Sequence, residues 1–264
     1  MKEEQLATSN PAFKNSPAFS GNALTAQQLD ELYNKPSAGS AETERMTYED
    51  TIQKTVISFA ILLVGAAIGW FIPLLAIPAA IAGFVLALVN IFKKKPSPPL
   101  VLSYAAVQGV FVGGISVLFS GMYEGIVTQA LLGTLGVVAV VLVLFRSGKI
   151  RASKRATKVF LVGMIGYAVF SLINFGLMAF GVTDGQFGLR SVEFMGIPLG
   201  AIIGVFVILM ASYSLVLDFD GIQQGVRNGA PRIYAWRAAF GLMVTVVWLY
   251  LEMLRLIAIL RGSN

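Results

Sequence analysis

From Thr55 to Phe92 the chain runs for 38 residues without a charge. As one helix this stretch would reach roughly 57 Å against a hydrocarbon core of about 30 Å, so a single membrane crossing cannot hold it. Trp70-Phe71-Ile72-Pro73, with Pro78 close behind, supplies an interfacial aromatic pair and a helix breaker near the middle. The stretch therefore reads as two short spans joined by a tight turn. Lys93, Lys94 and Lys95 end the second span, and Pro96, Pro98 and Pro99 predict an extended linker. Further apolar runs extend from Leu100 to Phe119, from the break at Ser120–Glu124 to Phe145, from Val159 to about Gly181, from Phe194 to Leu217 and from Ala238 to Leu260. Seven spans make an all-α polytopic membrane protein, in agreement with 56% hydrophobic and only 13% charged residues.

The distribution of charge sets the expected topology. Three basic residues follow the second span, six follow the fourth (Arg146, Lys149, Arg151, Lys154, Arg155, Lys158) and three follow the sixth (Arg227, Arg232, Arg237). The opposite connections hold only Arg190, with Arg261 at the tail. The positive-inside rule then predicts a multi-pass protein of the cell membrane with a cytoplasmic amino terminus and the carboxyl terminus outside. Loops facing anionic lipid account for the net charge of +6, and no nucleic-acid partner is needed to explain it.

Residues 1–50 read as a polar, largely disordered cytoplasmic tail and 51–264 as the seven-helix domain. Through Lys54 the leader carries eight acidic and five basic side chains and no apolar run resembling a cleaved signal. It repeats Asn10-Pro11-Ala12-Phe13 as Ser16-Pro17-Ala18-Phe19, and Thr25-x-x-Gln28 resembles a capping box opening a short helix that Pro36 stops. The tail is either a solvated leader or a docking segment for a membrane protein partner or lipid headgroups.

Cysteine and histidine are both absent, which excludes disulfides, zinc fingers, thiol nucleophiles and imidazole bases, and no catalysis or cofactor is expected. Glycines at four-residue spacing (Gly65 and Gly69; Gly109 and Gly113; Gly196, Gly200 and Gly204) predict seams of close helix packing. The amides Asn90, Gln108, Gln129 and Asn174 lie within spans, and each must face another helix or water, as a tie between helices or as the lining of a path.

Two acidic features stand out. Glu252 lies inside the seventh span, where a charge costs about 2.5 to 3.5 kcal/mol on insertion scales and commonly marks a pathway or relay. Arg255, three residues on, shares its helix face, so a local ion pair is one reading. Asp218 and Asp220 end the sixth span, where they are either functional or part of a solvated loop balanced by Arg227, Arg232 and Arg237.

Leu217-Asp218-Phe219-Asp220, Trp248-Leu249-Tyr250-Leu251-Glu252-Met253-Leu254-Arg255-Leu256 and the seven-span count resemble the Bax inhibitor family of transmembrane Bax-inhibitor-motif proteins. Ser9-Asn10-Pro11, Met46-Thr47-Tyr48, Gln108-Gly109-Val110-Phe111 and Gly113-Gly114-Ile115-Ser116 are similar to its actinobacterial-type branch. The resemblance implies six helices in two groups of three around a central carboxyl-terminal helix. It also implies a calcium leak controlled by a hydrogen-bonded acid pair, Asp218 and Glu252, with glutamate standing where better-known members carry aspartate. Two carboxylates so placed would share one proton and sense pH. When both are ionised they offer oxygen ligands to calcium or another cation, with Asp220 and nearby amides assisting. A proton-coupled transporter of a small solute and a regulatory protein that binds a membrane protease or other partner are the alternatives.

Overall fold

The computed structural model describes residues 45–183 and 187–262. Residues 1–44 of the expected tail, with the proline repeat and the capping box, lie outside the described residues. Among the described residues, seven helices are long and apolar enough to cross a membrane. They are α1 (Tyr48–Phe71), α2 (Ala76–Phe92), α3 (Pro98–Met122), α4 (Ile126–Arg146), α5 (Lys154–Ala179), α6 (Leu199–Arg227) and α7 (Ala235–Gly262).

Several boundaries differ from those expected, each for a local reason. The first span is not short. Thr47 accepts a hydrogen bond from the Asp50 amide, and Glu49 and Asp50 complement the positive end of the helix, so α1 starts at Tyr48, inside the segment expected to be tail. Pro73–Leu75 forms a single 3-10 turn between α1 and α2. Pro98 and Pro99 start α3 instead of prolonging the linker, because the first helical positions have no use for an N–H donor. At the other end of the chain, Glu193–Phe194 and Ile197–Pro198 pair as a small antiparallel hairpin. Its turn places Met195 and Gly196 at φ of 54° and 79°, so Phe194 precedes α6 and Gly196 belongs to no helix seam. The sixth span in turn runs on to Arg227, which puts Asp218 and Asp220 inside a helix and not at its end.

The seam between α1 and α3 is the closest packing in the protein. A Cβ on Gly65 would lie 2.3 Å from the Ala106 carbonyl oxygen, one on Gly69 2.0 Å from that of Val110, and one on Gly109 2.1 Å from that of Leu62. On Gly113 it would lie 1.9 Å from the Ala66 carbonyl oxygen. Backbone meets backbone there, as association in lipid requires when apolar side chains gain nothing by leaving it.

α7 holds the central place. It packs against α1, α3, α4 and α6, while α2 leans on α3. α5 touches little beyond α6 and the 3-10 turn Gly188–Ser191, and Asn174 is its sole buried residue among those described. The large apolar side chains left exposed on α1, α2 and α5, such as Leu63, Phe84 and Val162, face where lipid belongs.

Gly113→Ala is expected to cost about 1–3 kcal/mol through overpacking, against a helix-propensity gain of at most about 1 kcal/mol. Gly136→Ala, with nothing within 4 Å of its added methyl, carries no such penalty. Thermal unfolding in detergent checks this: the first variant melts lower than the parent, and the second does not.

Candidate functional site: two separately housed carboxylates

Glu252 has no exposed surface. Its neutralisation is assembled from three elements. Arg255, one turn along α7, holds both carboxylate oxygens at 2.5 and 2.6 Å. Tyr167 of α5 donates its hydroxyl to Oε1. Arg190, from the turn between α5 and α6, stands 3.7 Å from Oε2. The Tyr167 hydroxyl also accepts from Arg190 at 3.0 Å and from Arg255 at 3.2 Å, which uses its single donor and both acceptor positions. Arg190 is only 4% exposed, and its guanidinium lies 5.3 and 5.6 Å from the ring centres of Tyr167 and Phe170.

The turn that delivers Arg190 is held by Asn174, which accepts from the Leu189 amide at 2.7 Å and donates to the Phe187 carbonyl at 3.2 Å. Gly188, at φ 61°, fits because a Cβ there would lie 2.5 Å from Asn174 Oδ1. Asn174 is thus a tie for the turn that carries the arginine. Asn90 joins the α2–α3 connection by donating to the Leu86 and Leu100 carbonyls, and Gln129 accepts from Arg261 at 2.9 Å. Gln108 sits where α3 meets α2, its Oε1 2.8 Å from the position of a Cβ on Gly83.

Asp218 is housed differently. Thr245 of α7 donates to its Oδ2 at 2.6 Å, and Gly241 makes room for Oδ1. The carboxylate lines a cavity of about 460 Å³ together with Met46, Asn90, Ile222, Arg237 and Phe240. Asp220 accepts from Gln224 at 2.6 Å on the outer side of the same helix. Among the described residues no arginine pairs with either acid. Arg232 is engaged with Asp50, and Arg237 donates to the Lys93 carbonyl oxygen.

Asp218 and Glu252 are not joined, which corrects the expectation of a hydrogen-bonded pair. Asp218 is anchored at Thr245, and Glu252 lies seven residues further along α7, about 10.5 Å by helix rise on nearly the same face. Leu249 lies between them on α7 and Leu215 one turn before Asp218 on α6. Both are fully buried, in a cluster with Val141, Ala211 and Val216. Fully buried apolar side chains thus lie between the two acids. Among the described residues no group of three or more acidic side chains is placed to hold a metal ion.

Of the residues that matter here, Tyr167, Arg190 and Thr245 escaped sequence reasoning. Arg190 had one signal, as the lone basic residue on a connection of the side otherwise poor in them. Tyr167 and Thr245 are single polar groups within apolar runs and announce nothing by spacing.

A family model described as Bax inhibitor 1 like matches residues 10–262. No curated protein matches the chain.

Glu252→Gln leaves two guanidiniums without a countercharge and is expected to cost about 3–5 kcal/mol, while Tyr167→Phe, which strips one hydrogen-bonding hub, costs about 1–3 kcal/mol. Denaturation in mixed micelles should rank the two in that order, with the double variant short of additive because the residues share one network.

Proposed function

The chain belongs to the Bax inhibitor 1 like family, and from that premise we propose that it is a pH-sensitive leak for calcium or related cations, without catalysis. Its amino terminus is cytoplasmic and its carboxyl terminus outside the cell membrane. The conformation described is the closed one. The observation that carries this reading is Glu252, a carboxylate fully enclosed in the central helix and locked by a tyrosine and two arginines.

The path enters through the Asp218 cavity, from the face that carries the basic connections, and follows the face of α7 on which both acids stand. Two barriers close it. The Leu215–Leu249 layer excludes water and with it any hydrated ion, as hydrophobic constrictions in channels do. Beyond it, Arg255 and Tyr167 occupy the oxygens that a cation would need, and Arg190 adds its charge 3.7 Å away. Opening therefore requires Glu252 to exchange its guanidinium partners for a proton, for Asp218 or for the cation itself. With no histidine in the chain, carboxylates are the groups able to couple that exchange to pH near neutrality. If the two acids meet in the open form, one proton is held between them, and both oxygens face the ion once it leaves.

A second reading, a proton-coupled transporter, draws on the cavity, whose volume of about 460 Å³ falls within the range of small-molecule pockets. It predicts saturable uptake of an organic solute, which a leak does not.

Calcium entry into proteoliposomes across a pH series separates the two. The parent flux is expected to vary with pH, and both Asp218→Asn and Glu252→Gln to flatten that dependence. Leu249→Ser, which wets the dry layer, raises the leak severalfold at every pH. Flux unchanged in Asp218→Asn and in Glu252→Gln alike would remove the mechanism.

A further inference from the structure

The segment immediately before α1 does more than start a helix. Met46 is 4% exposed and forms part of the wall of the Asp218 cavity. Its amide donates to the Ala230 carbonyl at 2.7 Å, and Arg45 forms an isolated antiparallel bridge with Pro231. Its sulfur rests 3.0 Å from where a Cβ on Gly225 would stand, so the glycine gives the thioether its seat. One turn later Asp50, itself buried, binds Lys54 at 2.5 Å and Arg232 at 3.0 Å, and Lys54 donates in turn to the Arg232 carbonyl at 3.0 Å. Residues 45–50 are thereby stitched to residues 225–232 by backbone, by a seated side chain and by charge.

We propose that Arg45-Met46-Thr47 is a lid on the Asp218 cavity, latched by the Asp50–Arg232 pair, that controls access to Asp218 from the face of the basic connections. The latch is graded in strength. Arg232 is half exposed and its bond to Asp50 is open to competition from water and salt, whereas Lys54 and Asp50 are nearly enclosed. The Asp50–Arg232 contact is therefore the weak point, and its release loosens the α6–α7 connection, leaving it held by the Met46–Ala230 and Lys54–Arg232 bonds to main-chain carbonyls, with the first turn of α1 intact. Met46, an unbranched and adaptable side chain, can leave its seat without a rearrangement of the helices on either side. None of this depends on which ion or solute uses the path.

The absence of native cysteine makes a clean test. A cysteine at Ile222, on the cavity wall, is labelled in proteoliposomes with a small charged thiosulfonate, and a second parent with Ser147→Cys on an exposed connection serves as control. Adding Met46→Ala, which removes the lid's side chain and leaves the latch untouched, is expected to speed labelling at position 222 by roughly fivefold or more, with no change at position 147. Adding Asp50→Asn should do the same by the other route, and raised salt should mimic it in the parent. Equal labelling rates with and without Met46→Ala overturn the lid. A rate at position 222 already matching that at position 147 in the unaltered background overturns it as well. Labelling that rises as expected while calcium flux is absent retains the lid and removes the leak, so the two readings fail separately.

Discussion

A carboxylate buried within a membrane helix has to be neutralised where it stands, because neither water nor lipid will do it. Much of one side of the protein follows from satisfying Glu252. Arg255 comes from the same helix at the cost of no chain rearrangement. The remaining acceptor capacity draws in Tyr167 from α5 and Arg190 from the connection beyond it. Bringing Arg190 to that depth in turn requires the tight turn at Gly188, the clasp of Asn174 on Phe187 and Leu189, and a bare Gly200, where a Cβ would come within 2.8 Å of the Arg190 carbonyl oxygen. One charge thus organises a helix, a turn and the start of another helix.

The second acid is met with a single neutral donor and a cavity instead of countercharge. Thr245 satisfies one oxygen of Asp218, and the other is left facing Gly241 and open space. The contrast fits the position of the two residues along α7. Asp218 stands at the end where the basic connections gather and solvent is near. Glu252 lies two turns deeper, past Leu249. The same helix face therefore presents, in order, an acid beside a cavity, a layer of buried apolar side chains and an acid held by countercharge.

The spans, their number and the breaks between them were legible because charge runs and prolines mark where hydrocarbon ends. The close seam of α1 on α3 was legible too, since glycine at four-residue spacing has few other uses in a membrane helix. Helix ends were less so. α1 and α6 extend into polar sequence because Thr47 caps one and α6 continues past the apolar run that suggested its limit. The partners of the acids were legible only in part. Arg255 follows from i to i+3 spacing, whereas Tyr167, Arg190 and Thr245 arrive from helices and a turn whose placement only the assembled fold decides. The separation of Asp218 from Glu252 was hidden for the same reason: it depends on the register of α6 against α7, and no local pattern encodes that register.

That register also bears on which part of the molecule can yield. α7 is tied at both ends. Arg237 reaches the Lys93 carbonyl at one, and Arg261 reaches the Glu124 carbonyl and Gln129 at the other, while four helices pack on its length. Moving it would break all of these together. α5, by contrast, rests on little besides α6 and its own following turn, and two of its three glycines, Gly166 and Gly176, have open space beside them. Yet α5 carries Tyr167, and the turn after it carries Arg190. Tyr167 thus belongs to the least secured of the described helices, while Arg190 sits on a turn that packs on α6 as well as on α5. A small outward swing of α5 would withdraw Tyr167 and leave Glu252 to its two arginines, of which Arg255 is a third exposed and able to turn its guanidinium toward the surface. Of the groups that hold the buried acid, the one on the periphery is therefore the least secured, while the central helix is fixed by its ties at both ends.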